Sequence, residues 1–197
     1  ESMAAAIGGI TSVMDMPHTN PPTLDLAALQ LKKNIAAAHS TTNYAFHFGG
    51  SADNLSVIEN LDPKLVSGVK VFMGASTGNM LVDDPKILER LFANVPTILL
   101  THCESTPRIK QREAFYRNRY GEDIPASMHP QIRDVQACFE SSQLAVTLAQ
   151  KYATQLHVLH ITSAKELALF QNVPLNQKHI SAEVCIHHLS FDESDYE

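Results

Sequence analysis

The chain has 197 residues, of which 44% are hydrophobic and 18% charged, a composition typical of a globular domain and not of a disordered segment. Its net charge of −6 argues against nucleic-acid binding, which requires a basic face. No apolar run reaches the roughly 18 residues that a membrane-spanning helix needs, so we expect neither a nucleic-acid nor a membrane partner.

Strand-like and helix-like patterns alternate along the chain. Apolar, β-rich stretches predict six strands, at 10–16, 44–48, 66–73, 97–101, 156–161 and 180–186. Apolar residues at helical spacing predict the intervening helices, at 23–39, 54–61, 85–94, 134–152 and 163–170. A polar stretch at 105–138 interrupts this alternation, and we interpret its basic part, 108–119, as a solvated helix face. No interdomain linker is evident, which indicates a single domain.

Strands that are mostly followed by helices indicate parallel β-α units, and their Val, Ile and Leu character suits a sheet buried on both faces. An open doubly wound sheet and a TIM barrel both fit this pattern. No GxGxxG motif follows the first strand, which weakens the dinucleotide-binding form of the open sheet. The barrel is favoured because polar residues collect at the strand ends, where barrel chemistry takes place.

Polar side chains at or just after the strand ends are Asp15, His18, His47, Lys70, His102, Glu104, His160, His187 and His188. Lys70 stands inside an apolar strand, where a charged lysine is costly unless it is paired or neutralised. It can be explained by an ion pair with Glu104 or Asp15, or by exposure on an edge strand. A third explanation is a neutral amine of lowered pKa, which can react with CO2 to give a carbamate that bridges two metal ions.

His102 and His160 each stand where an apolar strand meets its loop. A histidine in this place is as often a hydrogen-bonded core residue as a metal ligand. Together with Lys70, the two fit a zinc-type site built from imidazole nitrogen and carboxylate oxygen. His157, three residues before His160, is predicted to point to the other face of its strand, toward a helix or solvent. The Gly/Ser/Thr loop at 74–78 is interpreted as a lid, with a phosphate cradle as the alternative.

The three cysteines, Cys103, Cys138 and Cys185, are an odd number without CxxC spacing. This pattern favours free thiols in a reducing compartment over a disulfide framework. We therefore expect a cytoplasmic protein, and we interpret Cys103 as a packing residue.

Four segments of the chain are informative as a set. They read Thr-Ser-Val-Met-Asp-Met-Pro-His-Thr-Asn-Pro-Pro, Gly-Val-Lys-Val-Phe-Met-Gly-Ala-Ser-Thr-Gly-Asn-Met-Leu-Val, Thr-His-Cys-Glu and Leu-His-Ile-Thr-Ser-Ala. In order and spacing they resemble the dihydroorotases, which stand beside hydantoinases and allantoinases in the cyclic-amidohydrolase branch of the amidohydrolase superfamily. The resemblance covers essentially the whole chain, and Ala-Glu-Val-Cys-Ile-His-His-Leu favours dihydroorotase within the branch.

This resemblance implies an α/β fold, a TIM-type (β/α)8 barrel of the metal-dependent hydrolase kind. It also implies two zinc ions and the reversible cyclisation of N-carbamoyl-L-aspartate to L-dihydroorotate in pyrimidine synthesis. Carried over by position, Lys70 resembles the carboxylated lysine that bridges the metals. His102 and His160 resemble the two histidines that bind the second metal. The metals would polarise the ring carbonyl and supply the hydroxide nucleophile.

The same resemblance implies groups that residues 1–197 do not contain. The family's His-x-His pair and the following arginine would precede Glu1, and its catalytic aspartate would follow Glu197. We therefore expect the central part of one barrel domain, incomplete at both ends, with about six of the eight strands, and inactive alone. The catalytic residue of this chain is unknown. His18 stands where the family's Met-Pro-Asn-Thr motif has a substrate-binding asparagine, and it differs from asparagine in charge and shape.

Three functions stay open at this point. The chain belongs to a dihydroorotase, to another cyclic amidase such as a hydantoinase or an allantoinase, or to a non-catalytic relative kept as an assembly module. Retention of Lys70, His102 and His160 favours an enzyme, whereas His18 and the missing ends favour the non-catalytic relative. We expect a small-molecule substrate and a homo-oligomer.

Overall fold

The computed structural model describes residues 1–75 and 80–196, so the loop interpreted as a lid lies mostly outside the described residues. The helices are α1 (Ser2–Ile7), α2 (Leu26–His39), α3 (Leu55–Glu59), α4 (Pro85–Asn94), α5 (Thr106–Tyr120), α6 (His129–Ile132) and α7 (Val135–Tyr152). The strands are β1 (Ser12–Asp15), β2 (Asn43–Gly49), β3 (Gly68–Phe72), β4 (Leu99–His102), β5 (Leu156–Val158) and β6 (Ile180–Ala182). Short 3-10 helices lie at Pro63–Leu65, Ala126–Met128, Ala164–Leu169, Leu175–Gln177, Ile186–Leu189 and Glu193–Asp195.

The strands form one parallel sheet in the order β1-β2-β3-β4-β5-β6, so each strand pairs with the next one along the chain. A doubly wound sheet reverses its strand order at a switch point, whereas a barrel keeps the order of the sequence. The described sheet has no such reversal. The structure is therefore a parallel α/β half-barrel, and the doubly wound alternative is wrong.

Aspartate residues cap the N-termini of three helices that pack against the sheet. The carboxylate of Asp25 accepts a hydrogen bond from a backbone N–H in the first turn of α2, and Asp84 and Asp134 do the same for α4 and α7. These contacts satisfy N–H groups that a helix start leaves unpaired. The hydrophobic core joins these helices to the strands, and its fully buried members include Phe48, Ile58, Val69, Val71, Leu99, Ala145 and Leu156.

Strand alternation turns Lys70 away from this core. Val69 and Val71, its neighbours in β3, are fully buried among the core residues, so Lys70 lies on the opposite face of the sheet. Residues paired across a parallel sheet share a face, and Lys70 pairs with Leu100, which in turn pairs with His157. His157 therefore lies on the Lys70 face.

The prediction that His157 points toward a helix or solvent is thus wrong. It assumed that His157 and His160 belong to one strand, but β5 ends at Val158. His160 has a φ of +38°, outside the extended region, so strand alternation does not relate the two side chains.

The structure contains all six predicted strands, most of them shorter than predicted. The last one ends at Ala182, and the part predicted to continue it leads into the 3-10 helix Ile186–Leu189. The helix predicted at 163–170 is the 3-10 helix Ala164–Leu169. Across 1–75 and 80–196, none of the helices combines the length and apolar character that a membrane crossing requires.

Candidate metal centre

Lys70 occupies the middle of β3 and is only 2% exposed. Its Nζ donates a hydrogen bond to the carbonyl of Val71 at 3.2 Å and lies 4.1 Å from the centroid of the Phe72 ring. β3 is flanked by β2 and β4, so it is not an edge strand. The explanation of Lys70 as an exposed lysine on a sheet edge is therefore wrong.

The predicted ion-pair partners of Lys70 are engaged elsewhere. Asp15 pairs with Lys32 at 2.5 Å, and Glu104 pairs with His102 at 2.7 Å. Within the part of the chain that the structure describes, no carboxylate lies within ion-pair distance of the Lys70 amine. The ion-pair explanation is therefore also wrong.

The remaining explanation, a neutral amine, agrees with the surroundings of Lys70. Burial lowers the pKa of Lys70 to about 7, against weaker opposing influences from Cys103 and Glu183. A large fraction of the amine is consequently unprotonated at neutral pH. Only an unprotonated amine has the lone pair with which carbamate formation begins, so Lys70 is chemically competent for that reaction.

His102 and His160 face each other across neighbouring strands. His102 ends β4, and His160 follows the end of β5 by two residues. Nδ1 of His102 lies 3.1 Å from Nε2 of His160. Two nitrogens bound to one tetrahedral zinc ion, each at about 2.0–2.1 Å, are separated by about 3.3–3.4 Å. The pair thus fits a shared zinc ion with little rearrangement.

His160 adopts a backbone conformation that is rare for a residue with a side chain. Its φ of +38° lies in the left-handed region, which costs a non-glycine residue roughly 1–3 kcal/mol. Burial, followed by the charges of His102 and Lys70, lowers the pKa of His160 to about 4. The imidazole is therefore neutral at physiological pH, which is the form that binds metals.

Glu104 contacts the other ring nitrogen of His102. Its Oε2 lies 2.7 Å from Nε2 of His102 and accepts a hydrogen bond from Nη1 of Arg133 at 3.1 Å. Burial raises the pKa of the Glu104 carboxyl, but the hydrogen bond to His102 and the charge of Arg133 outweigh this effect and lower it below its usual value. Glu104 is therefore an ionised carboxylate against His102.

His18 belongs to the same cluster through Phe72. The His18 ring meets the Phe72 ring edge-on with centroids 5.4 Å apart, and Phe72 lies 5.6 Å from the His102 ring. Burial and the nearby charge of Lys70 lower the pKa of His18. The structure thus gathers His18, Lys70 and His102 around one aromatic ring, and the substrate-binding role of His18 stays a prediction.

Phe72 and Arg133 are members of this cluster that the sequence patterns did not single out. Phe72 could have been found, because it lies two residues after Lys70 and therefore shares its face. Arg133 had no signal, since it lies in the polar stretch far from any strand end. His157, predicted to point elsewhere, contacts Ser181 Oγ at 2.8 Å and Glu183 Oε2 at 3.2 Å.

A separate group of side chains of the kinds that can ligate metals lies near the end of the chain. The ligand atoms of Cys185, His187 and His188 are all within 4.8 Å of one another. Thiolate and imidazole are ligand types that zinc prefers. These three residues were not among the predicted metal ligands.

Comparison with known proteins shows related sequences over the whole chain, although no family model matches it. A dihydroorotase from Pyrococcus horikoshii is 33% identical over 196 residues, which cover 98% of this chain and 39% of that protein. An allantoinase from Streptomyces avermitilis is 29% identical over 194 residues, covering 95% of this chain and 42% of that protein. The chain thus spans about two fifths of the length of these relatives.

Solved structures share the half-barrel. An L-hydantoinase from Arthrobacter aurescens superimposes with a TM-score of 0.88 at 26% identity, covering 98% of this chain and 44% of that one. An inactive dihydroorotase-like domain of the Chaetomium thermophilum CAD-like multifunctional protein gives 0.67 at 14% identity, covering 98% and 48%. The second likeness shows the fold alone. The fold by itself therefore does not separate an active enzyme from an inactive relative.

Proposed function

We propose that this chain, which is a dihydroorotase-like segment of a cyclic amidohydrolase, is the central part of one metal-dependent (β/α)8 barrel domain. The first and last strands of that barrel would lie outside residues 1–197. The observation that carries the proposal is the 3.1 Å approach of His102 Nδ1 to His160 Nε2, beside the buried Lys70. Two imidazoles at the ends of adjacent strands, beside a neutral amine in the next strand, suit a metal-dependent hydrolase.

The proposed reaction is the reversible cyclisation of N-carbamoyl-L-aspartate to L-dihydroorotate, with loss of water on ring closure. Two zinc ions are proposed, one held by His102 and His160, and both bridged by a carboxylated Lys70. Bound zinc would supply Lewis-acid polarisation of the amide carbonyl and an acidified water, so that no protein nucleophile is needed. The motif set around Lys70 and His18 supports dihydroorotase within the branch.

The residues of this chain prepare the site for metal binding. Burial lowers the pKa of Lys70 to about 7, so a large fraction of the amine is unprotonated. This amine can add to CO2 and, with loss of one proton to solvent, become a carbamate, a carboxylate on a long arm. His160 stays neutral and directs Nε2 toward His102, and Glu104 holds His102 from the opposite side. His18, neutral at pH 7 because its pKa is lowered, can donate one hydrogen bond to a substrate oxygen.

A second candidate is another cyclic amidase of the hydantoinase or allantoinase kind. The close superposition on an L-hydantoinase favours it. These enzymes would use the same metal centre and differ in the ring that they accept. The third possibility, a non-catalytic relative, would need neither the carbamate nor the metals.

Turnover by the full-length protein that contains this chain tests the proposal. Zinc-loaded protein should interconvert carbamoyl aspartate and dihydroorotate, and a chelator should abolish the activity. Turnover of hydantoin or allantoin with no reaction of dihydroorotate would favour the second candidate. A folded protein that binds no zinc and converts none of the three compounds would be a non-catalytic relative.

A further inference from the structure

One side chain of the polar stretch at 105–138, that of Arg133, reaches the residues of the candidate metal centre. Arg133 lies between α6 and α7, and its Nη1 donates to Oε2 of Glu104 at 3.1 Å. The same carboxylate oxygen lies 2.7 Å from Nε2 of His102. A continuous chain of hydrogen bonds therefore joins the surface arginine to a proposed metal ligand.

The geometry of His102 assigns its tautomer. A neutral imidazole carries one proton on its two nitrogens, and a carboxylate can only accept hydrogen bonds. In the neutral form of His102, the form that binds metals, Nε2 therefore carries the proton that Glu104 accepts. Nδ1 is then the unprotonated nitrogen with the lone pair, and this is the atom that faces His160. A half-turn of the ring would lose the contact with Glu104 and turn Nδ1 away from His160.

The backbone around Glu104 leaves its side chain little freedom. An added Cβ at Gly74 would lie 1.9 Å from the Glu104 carbonyl oxygen, so the loops after β3 and β4 are in direct contact. The Glu104 side chain itself is only 7% exposed. Ser105, the next residue, donates its backbone N–H to the carbonyl of Ala137 at 2.9 Å, which joins the loop to α7.

Arg133 is anchored through its neighbour Asp134. Asp134 accepts two hydrogen bonds from the Arg108 guanidinium, both at 2.7 Å, and one from the backbone N–H of Ala137 at 3.0 Å. Asp134 thereby links α5 to the start of α7, directly beside Arg133. The stretch interpreted as a solvated helix face thus also holds the arginine against Glu104.

We propose that Glu104, held in place by Arg133, is a positioning residue that fixes the ring orientation and the tautomer of His102, so that Nδ1 is presented to the metal. The metal part of this inference rests on the proposed function. Carboxylates that hydrogen-bond a metal-binding histidine in this way orient the ring and raise its basicity, and their loss typically weakens metal binding by about 10- to 100-fold.

The test uses the full-length protein with Glu104→Ala, Glu104→Gln and Arg133→Gln. Glu140→Gln is the matched control, because Glu140 lies near Arg108 on the same ion-pair cluster and does not contact His102. Zinc affinity is measured by competition with a chromophoric chelator. Long-range proton–nitrogen NMR of the 15N-histidine-labelled apoprotein, with the His102 signals assigned by their loss in His102→Asn, reports the tautomer.

We expect Glu104→Ala to weaken zinc binding by about 10- to 100-fold. The same substitution should lower the population of the Nε2-protonated tautomer of His102, because the acceptor of that proton is lost. Glu104→Gln should recover part of the affinity, since the amide oxygen still accepts a hydrogen bond. Arg133→Gln should act in the same direction by a smaller factor, and Glu140→Gln should have no effect. Thermal unfolding establishes that each variant is folded, and the exposed Arg133 provides the test if Glu104→Ala does not fold.

Folded variants of both residues with wild-type zinc affinity and an unchanged His102 tautomer would overturn the proposal. Neither measurement depends on turnover. If the protein had no cyclic amidase activity, the proposed reaction would be rejected and the positioning role of Glu104 would be unaffected. If the wild-type protein bound no zinc, the proposed metal centre would be rejected, and the His102 tautomer alone would test the role of Glu104.

Discussion

Nδ1 of His102 and Nε2 of His160 lie 3.1 Å apart, although the two residues are separated by 58 positions in the chain. Pairing of β4 with β5 brings them together, since Thr101 pairs with Val158 and both histidines follow within two residues. Glu104 supports His102 from the side opposite His160. This pair is the most specific feature of the proposed metal centre, and both the activity and the metal content of the protein should depend on it.

Lys70→Ala in the full-length protein should remove zinc-dependent turnover, because the variant cannot form the bridging carbamate. We expect the bound zinc to fall from two ions per chain to one or fewer, measured by elemental analysis, and turnover to fall by at least about 100-fold, as when a principal part of a catalytic metal site is lost. Lys64→Ala, in the exposed 3-10 helix Pro63–Leu65, is the control. A Lys70→Ala protein with two zinc ions and full activity would contradict the carbamate.

The buried Lys70 should make stability depend on pH. The pKa of Lys70 is about 7 in the folded protein and 10.5 in an unfolded chain, so between these values the unfolded state binds more protons. Stability should therefore rise as the pH increases from 7 to about 10. The full shift corresponds to roughly 5 kcal/mol at most, at 1.36 kcal/mol per unit.

Lys70→Met isolates this contribution from the other groups that titrate in the same range. In metal-free, CO2-free buffer, urea unfolding of the full-length protein should show a smaller rise for Lys70→Met than for wild type. Below pH 7 the difference between the two proteins should be constant. Parallel curves from pH 7 to 10 would mean that Lys70 is protonated in the folded protein.

Gly74→Ala should destabilise the protein and disturb the metal centre. The new methyl group would lie 1.9 Å from the carbonyl oxygen of Glu104, and the obstacle is backbone, which cannot rotate away. Forcing the two loops apart should cost about 1–3 kcal/mol in the free energy of unfolding and weaken zinc binding. Gly8→Ala is a fair control, because its nearest contacts are 3.5 Å away. Equal effects of both substitutions would contradict the close contact.

His18 can be tested as a substrate contact by two substitutions. His18→Asn installs the residue of the dihydroorotase motif and should leave KM for dihydroorotate unchanged or lower it. His18→Ala removes the hydrogen bond and should raise KM by about 5-fold or more, as expected for an interaction of about 1 kcal/mol. If His18→Ala left both kcat and KM at their wild-type values, His18 would have no part in substrate binding.

Residues 1–197 expressed alone should show no zinc-dependent turnover, since the proposed site also needs groups outside them. Elements near the two ends of the chain expose large apolar side chains, among them Ile7 at 84% and Ile186 at 77%. Unpaired sheet edges and apolar surface favour association, so light scattering should detect concentration-dependent oligomers. Measurable cyclisation of carbamoyl aspartate by this chain alone would contradict the divided site.

Local sequence patterns were sufficient to locate the strands and to identify three polar side chains in them or just after them. Short apolar runs bounded by turn residues depend on local chemistry, and a lysine inside such a run is conspicuous because its burial is costly. Lys70, His102 and His160 could therefore be identified from the order of amino acids alone. The dihydroorotase-like character of the chain was also evident at that level, because four motifs in fixed order are specific as a set.

Packing between separate elements decided which of these groups meet and what supports them. The face of His157 depends on the residue at which β5 ends, and the partners of Lys70 depend on Asp15 and Glu104 being engaged elsewhere. Arg133 reaches Glu104 across 29 positions of a polar stretch that has no strand periodicity. Periodicity reports only neighbours along one element, whereas ion pairs and hydrogen bonds between loops depend on the tertiary structure.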